Sequence, residues 1–526
     1  MTGFTKNNSA AVDLSHTIPD VLIQAASQWA DKPAVNDHGN VITFAELEKK
    51  SRHAARAFIS HGLEPGDRFA IWAPNIHEWI WVAIGGMMAG GILVPLNTRY
   101  KGIEASDILH RSGVKLLFTV TGFLDTDYPQ LLEKHTPKTI EHTILLRGDN
   151  QQDVTLAAFL TTAEQTPMAL VNTQIEALSG DSISDIMYTS GTTGSPKGVM
   201  SSHGQVVAIF KKWSDAIGLN ESDKYLIVNP FFHTFGYKSG WLTCLLTGAT
   251  AYPESVFDAA KTLDIIEREK ITVLPGAPTI FQSLLGQKSL QKSKLSSLRC
   301  AVTGAASVPE QLVIDMKNTL GFKQVYTGYG LTECGVVSIC RDGDDFETIA
   351  NTAGRAIDGI QVNVVNDNGQ QITAGDIGNI MVKGFNVMQG YFDDEQATKD
   401  TIDENGWLDT GDIGWQDSNG YIKITDRAKD LFICGGFNCY PAEIENLLLM
   451  HDDIVDVAVT GIADDRLGEV GKAFIVLAAG ATLNNDELKQ WCREQMANYK
   501  VPRSFAFIDA LPRNASGKVQ KFMLNQ

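Results

Sequence analysis

Residues 188–200, Tyr-Thr-Ser-Gly-Thr-Thr-Gly-Ser-Pro-Lys-Gly-Val-Met, crowd glycines, hydroxyl residues and one lysine between an aromatic residue and a return to apolar sequence. Loops of this kind hold phosphate. Gly191, Gly194 and Gly198 let backbone N–H groups turn toward an anion. Thr189, Ser190, Thr192 and Thr193 add hydroxyl donors, and Lys197 adds a mobile point charge. The stretch is not the P-loop of nucleoside-triphosphatases, in which the lysine enters a helix directly after the glycines. Here Lys197 lies between Pro196 and Gly198, which places it on a flexible loop. Alone, the same composition also suits a plain linker turn.

Its company argues for chemistry. Tyr-Gly-Leu-Thr-Glu at 329–333 sets an aromatic ring, a hydroxyl and a carboxylate close together, able to stack a base, touch a phosphate and hold a hard cation. Trp-Leu-Asp-Thr-Gly-Asp-Ile-Gly at 407–414 puts Asp412 on a glycine-braced turn, where its two oxygens can accept from a ribose diol. Segments 425–445 and 512–521 each place cations beside glycines. His233 sits among phenylalanines in Phe-Phe-His-Thr-Phe-Gly-Tyr, a pattern that by itself reads as a packed core residue.

The elements that must position these groups are legible in outline. At 526 residues the chain exceeds what one core can serve, so two or more domains are expected. Up to about residue 426, apolar β-rich runs (RFAIWAP, ILVPL, VKLLFTV, KYLIVNP, ITVLPGAP, LRCAVTG, KQVYTGYG) alternate with helical patterns. That is the texture of an α/β fold, a large N-terminal domain of parallel-rich sheets flanked by helices. From 353 to 425 turn signals recur about every ten residues, as expected for a distorted antiparallel β segment, with Asn419–Gly420 as a tight turn. From 427 to 526 two helical patterns and several strands suffice for a small C-terminal α+β domain; the helix YPAEIENLLLM carries proline in its first turn.

Composition excludes several functions. The net charge of −18 gives no basic surface for nucleic acid or anionic membrane. Residues 427–526 hold 11 Lys and Arg against 13 Asp and Glu, so the acidity lies on the large part. Seven scattered cysteines without a C-x-x-C pair indicate neither a disulfide frame nor a zinc site, and imply reduced thiols in the cytoplasm. The N-terminus lacks a signal-peptide pattern and the C-terminus lacks a peroxisomal address. Residues 79–96 are uncharged over a membrane-spanning length, but two Gly-Gly pairs and a proline favour a buried helix ending at Gly90–Gly91 followed by a short strand.

These motifs, in this order, resemble the adenylate-forming superfamily of acyl-CoA synthetases, luciferases and peptide-synthetase adenylation domains, over nearly the whole chain to Lys518. The resemblance implies an acyl-adenylate made from a carboxylic acid and ATP with Mg²⁺, release of pyrophosphate, and transfer of the acyl group to CoA. It implies that Thr189 to Lys197 hold the departing phosphates, that Tyr329 stacks on adenine, and that Gly304, Ala305 and Ala306 form the other wall. Thr332 would touch the α-phosphate, Glu333 would bind Mg²⁺, and Asp412, backed by Arg427, would take the ribose hydroxyls. Lys518 would bridge the acid carboxylate and the α-phosphate, and His233 would position the carboxylate or gate the acyl pocket. Lys429 would be the hinge on which the small domain turns, and Gly435–Gly436 would line the thiol tunnel.

The chain stops soon after Lys518, so a free-standing CoA ligase is expected rather than a peptide-synthetase module; the other expectations are a luciferase-like oxidase and an inactive nucleotide-binding homologue. By the same resemblance the acyl pocket is lined by residues 232–241, 275–281 and the stretches around Gly304 and Gly328, apolar and aromatic with small residues at 304–306, which implies a hydrophobic acid. NPFFHTFGYKSGW, LPGAPTIFQSLL, AVTGAASVPEQL and FETIANTAGRAI are similar to bacterial ligases for the indane-propanoate left from steroid rings C and D. Medium-chain fatty, alicyclic and aryl acids stay open, because one or two side chains redirect such a pocket. The implied partners are the acid, ATP and CoA, with a homodimer compatible and neither nucleic acid nor stable membrane insertion.

Overall fold

A computed structural model describes residues 12–524 except 151, 190–195, 289, 305–307, 428–429, 435–436, 440, 465–466, 497 and 514–518. Two large sheets dominate the first 400 residues, one of nine strands and one of eight. In the nine-stranded sheet, strands Lys224–Ile227, Val273–Gly276, Cys300–Gly304 and Gln324–Leu331 run parallel, side by side. In the eight-stranded sheet, Arg68–Trp72 lies parallel between Ile92–Pro95 and Val114–Val120. Helices cover both faces, so most of these strands are largely buried and read as continuous apolar runs rather than alternating ones, while the end of Gln324–Leu331 is more open.

Helix entries follow local chemistry. Thr17 with Asp20, Thr43 with Glu46 and Ser202 with Gln205 form reciprocal capping boxes that satisfy the otherwise unpaired first-turn N–H groups. The apolar stretch near residue 80 is a buried helix, His77–Met88, followed by strand Ile92–Pro95. Gly90 ends that turn with φ +84°, and a Cβ at Gly86 would come within 2.3 Å of the Phe69 ring, so the glycines there serve close packing. Among the described residues no helix is long and apolar enough to cross a membrane.

The segment after residue 353 departs from the simple antiparallel expectation. Strands Ile360–Val365, Gly378–Gly384, Leu408–Gln416 and Ile422–Arg427 do form an antiparallel sheet of four. Arg355–Ala356, however, extends the nine-stranded sheet, and Gly390–Tyr391 pairs with Lys197–Ser202 at the edge of the eight-stranded one. Sequence texture identifies strands but not partners, because pairing is set by tertiary register. The hairpin Pro33–Asp37 with Asn40–Thr43 carries no strong alternation and is visible only in the structure.

Near the C-terminus, Ile454–Asp464 and Gly468–Leu477 form a long antiparallel pair, with Ser504–Phe507 parallel to the latter. Helices Pro441–Leu448 and Asn485–Gln495 accompany them. Their buried residues, from Phe432 to Phe505, form a core cluster separate from the large one that extends from Ile18 to Ile422.

Candidate functional site

The strands Lys224–Ile227, Val273–Gly276, Cys300–Gly304 and Gln324–Leu331, four of the parallel strands of the nine-stranded sheet, end on the same edge. In open α/β sheets the crevice beyond the carboxyl ends of the strands is where ligands bind. Asn229 to His233 follow the first of these strands, residues 277–281 follow the second, Gly304 ends the third, and Tyr329 lies near the end of the fourth. Gly304 and Gly328 are register partners, and a Cβ on Gly304 would sit 2.8 Å from the Gly328 carbonyl oxygen, so the glycine permits the close approach there.

Tyr329 is half-buried, and its hydroxyl donates to Asp412 Oδ2 at 2.5 Å. Burial, then the neighbouring Asp412 carboxylate, holds the Tyr329 phenol well above its ordinary pKa, so it stays a neutral donor. Asp412 lies inside the strand Leu408–Gln416 rather than on a turn; Gly411, at φ +65°, precedes it and accommodates the kink. The Cα of Arg427 stands opposite Asp412 in the adjoining strand.

Thr332 and Glu333 occupy the turn between Gln324–Leu331 and Gly335–Ile339. That turn is tight: a Cβ on Gly330 would lie 2.2 Å from the Gly335 carbonyl oxygen, and Gly335 takes φ +62°. Glu333 is held from two sides. Its carbonyl accepts from the Met388 N–H at 2.7 Å, and its Oε1 accepts from the Tyr391 hydroxyl at 3.1 Å. A half-buried carboxylate so oriented fits an oxygen ligand for a hard divalent cation.

On either side of residues 190–195, strands Ile183–Thr189 and Lys197–Ser202 form an antiparallel hairpin in which Thr189 pairs with Lys197. Lys197 therefore begins a strand rather than riding on a flexible loop, and its ammonium lies 5.0 Å from the centre of the Tyr391 ring. Gly198 is also in that strand, where a Cβ would come within 2.8 Å of Ile186; packing, not loop freedom, requires it. Arg111 braces both ends of the hairpin tip, donating to the Pro196 carbonyl at 2.7 Å and lying 5.6 Å from the Tyr188 ring centre.

His233 is half-buried at the start of a short helical turn, and its Nδ1 accepts from the Phe235 N–H at 3.2 Å. It is thus neither a sealed core residue nor fully solvated. Buried Asn75, in the turn after strand Arg68–Trp72 of the eight-stranded sheet, accepts from the Phe231 N–H at 2.8 Å and donates to the Asn229 carbonyl at 2.9 Å, which pins this segment to the other sheet's neighbourhood. Ser190, Gly191, Thr192, Thr193, Gly194, Ala305, Ala306, Lys429, Gly435, Gly436 and Lys518 lie outside the described residues.

Sequence reasoning did not find Tyr391, Arg111 or Asn75. None stands in a chemical motif, and each reaches the site across 40 or more residues of chain, as in the Tyr391–Glu333 separation of 58. A second polar cluster, Asp37, His77 and Glu78, has the spacing of a cation site. Arg147 already bridges the two carboxylates, and both His77 ring nitrogens are engaged, by Asn40 and Trp81, so it serves as a structural network.

The Tyr329 ring, the Asp412 and Glu333 carboxylates and the paired Thr189 and Lys197 are the kinds of group that a nucleotide-activating enzyme needs. Family comparison agrees: residues 22–392 match the AMP-binding enzyme model and residues 443–518 match the AMP-binding enzyme C-terminal domain, and the chain belongs to this family. It is an acyl-CoA synthetase of the AMP-forming kind. The chain is 46% identical over 97% of its length, and 98% of the relative's, to the 3-[(3aS,4S,7aS)-7a-methyl-1,5-dioxo-octahydro-1H-inden-4-yl]propanoyl:CoA ligase of Rhodococcus jostii. It is 43% identical to the ligase of the same name from Mycobacterium tuberculosis, again over 97% of this chain and 98% of the relative. Among solved structures, it is similar to O-succinylbenzoate coenzyme A synthetase from Bacillus subtilis in complex with ATP and magnesium ion. That match has a TM-score of 0.82 and 30% identity, and covers 97% and 100% of the two chains.

Proposed function

We propose that this protein joins CoA to a bicyclic, steroid-derived indane-propanoate through an acyl-adenylate. The observation that supports the adenylation site most directly is the Tyr329–Asp412 hydrogen bond at the carboxyl edge of the sheet, with Glu333 four residues beyond the tyrosine. The likeness to the two indane-propanoate ligases over nearly the whole chain supports the choice of acid.

In this reading adenine lies between Tyr329 and the wall at Gly304–Ala306, and Asp412 with Arg427 receives the ribose hydroxyls. The hairpin from Thr189 to Lys197 holds the β- and γ-phosphates. Thr332 donates to the α-phosphate, His233 orients the acid, and Lys518 meets the negative charge that gathers as the carboxylate attacks. Magnesium, when held at Glu333, would neutralise phosphate charge. Residues 1–426 form the ATP- and acid-binding part, and residues 427–526 turn about Lys429 to admit CoA past Gly435–Gly436. The separate core from Phe432 onward supports that division, and seven buried cysteines, none of them in a disulfide, support a cytoplasmic setting.

Nucleotide products formed from ATP, Mg²⁺ and CoA across a panel of carboxylic acids test the reading. Acid-dependent AMP and pyrophosphate, with the indane-propanoate turned over best, are expected. ADP and phosphate would sink the adenylation scheme, and a preference for medium-chain, alicyclic or aryl acids would replace the substrate.

Tyr391→Phe tests the metal carboxylate. The change removes one hydrogen bond to a charged group, about 1.5–3 kcal/mol, and leaves the ring over Lys197. The Mg²⁺ concentration for half-maximal rate should rise roughly tenfold or more, with a smaller change at saturating Mg²⁺. An unaltered Mg²⁺ titration would remove Tyr391 from that role.

A further inference from the structure

Lys238 and Asp185 form an ion pair in the interior, 2.8 Å apart, with side chains 3% and 0% exposed. A pair of charges this deep gives up nearly all its hydration, and apolar residues of similar volume commonly do as well for stability. What the pair connects is therefore informative. Lys238 lies in the buried π-helical turn Tyr237–Leu242, just beyond His233, and its ammonium also donates to Ser201 Oγ at 3.0 Å. Asp185 is held in turn by the Ser184 hydroxyl at 2.7 Å.

Asp185 and Ser201 are register partners on the two strands of the phosphate hairpin. Side chains two and four residues along a strand share its face. From Asp185 that face continues through Met187 to Thr189, and from Ser201 through Val199 to Lys197, the two residues that flank the loop. The root gripped by Lys238 is thus about 13 Å from the loop ends along an unbroken pair of strands. A second contact repeats the grip: Thr234 Oγ1 lies 3.5 Å from Met187 Sδ. Thr234 and Lys238 are four residues apart, as are residues on one face of a helical turn. The segment that follows His233 therefore rests on the hairpin face that leads to Thr189 and Lys197.

We propose that Lys238 is a positioning residue whose ion pair with Asp185 couples the acid site to the phosphate hairpin, so that acid and nucleotide bind cooperatively. The proposal rests on the assignment of residues 232–241 to the acid site and of the hairpin to ATP phosphates. An acid that settles the turn carrying Lys238 settles the root of the hairpin with it, and the strands carry that order to Thr189 and Lys197. Conformational order fixed once by the first ligand need not be fixed again by the second.

The test uses the full chain, the acid that gives most AMP in the product panel, and an α,β-methylene analogue of ATP whose α–β bridge cannot be broken, so it cannot transfer its adenylyl group. Calorimetry measures analogue affinity with and without saturating acid. In the unmodified protein acid should tighten analogue binding at least about fivefold. The double variant Lys238→Met with Asp185→Leu replaces the pair by apolar side chains; it should bind the analogue alone within about threefold of the unmodified protein and lose the tightening. Ser201→Ala keeps the ion pair but cuts one strand of the grip, and serves even where the double variant fails to fold; the tightening should fall at least about twofold. Absence of coupling in the unmodified protein, or full coupling in a folded double variant or in Ser201→Ala, would overturn the proposal. Failure of the unmodified protein to make AMP from any acid would instead sink the ligase reading on which it rests.

Discussion

Lys518→Ala is expected to slow acid-dependent pyrophosphate release by about 10²–10³-fold, the loss of about 3–4 kcal/mol that preorganised charge at a developing anion supplies. The same variant should transfer the acyl group from a supplied acyl-adenylate to CoA at near the unmodified rate. The asymmetry follows from where charge develops. During adenylation the carboxylate oxygen and the α-phosphate approach as two anions, and one lysine between them stabilises the transition state more than the separated reactants. During thiolation that site has done its work, and the need is for space in which the CoA arm can reach the carbonyl. Gly436→Leu should therefore show the opposite pattern, with adenylation retained and thiolation blocked by the added side chain. Pyrophosphate release and thioester formation, assayed separately, check both. Two variants that each fail in both half-reactions would rule out alternation of one small domain between two tasks.

The second large effect is expected at Asp412. Its side chain is 4% exposed and accepts the Tyr329 hydroxyl, so one carboxylate serves the orientation of the stacking ring and, in the proposed pose, the ribose hydroxyls. Hydrogen bonds to a charged group contribute about 1.5–3 kcal/mol each, and losing two of them makes a rise of about 10²-fold or more in KM for ATP the expected result for Asp412→Ala. Tyr329→Phe is the control. It keeps the ring and removes only the tether, so KM for ATP should rise by about fivefold to tenfold, with little change in KM for the acid. Thermal unfolding of each variant separates a binding effect from loss of fold. A destabilised Asp412→Ala protein with unchanged KM for ATP would mean that the carboxylate holds the tyrosine and nothing else.

Much of this site is readable without coordinates because its chemistry is local in sequence. Tyr329, Thr332 and Glu333 lie within five residues, so one strand end and one turn present all three. Asp412 is also conspicuous, although its place inside a strand is not, because a left-handed glycine looks the same in a turn and in a kinked strand. Lys197 reads as a loop residue for a related reason. Gly198 reads as a source of flexibility, whereas its missing Cβ is what lets the strand pack on Ile186.

The amino-acid sequence by itself determined the order of elements, the apolar runs that must be parallel strands buried on both faces, and the short motifs able to hold a nucleotide. Local propensity, capping and periodicity act over a few residues, so they survive in a one-dimensional reading. Only the tertiary structure decided that Gly390–Tyr391 would leave the antiparallel segment and pair with the strand Lys197–Ser202, bringing Tyr391 to both Glu333 and Lys197. It alone decided that Lys238 would meet Asp185, 53 positions away, in a dry interior. Such partners are selected by register and by the high cost of leaving a charge unpaired away from water, and neither leaves a mark on the sequence near the residues concerned.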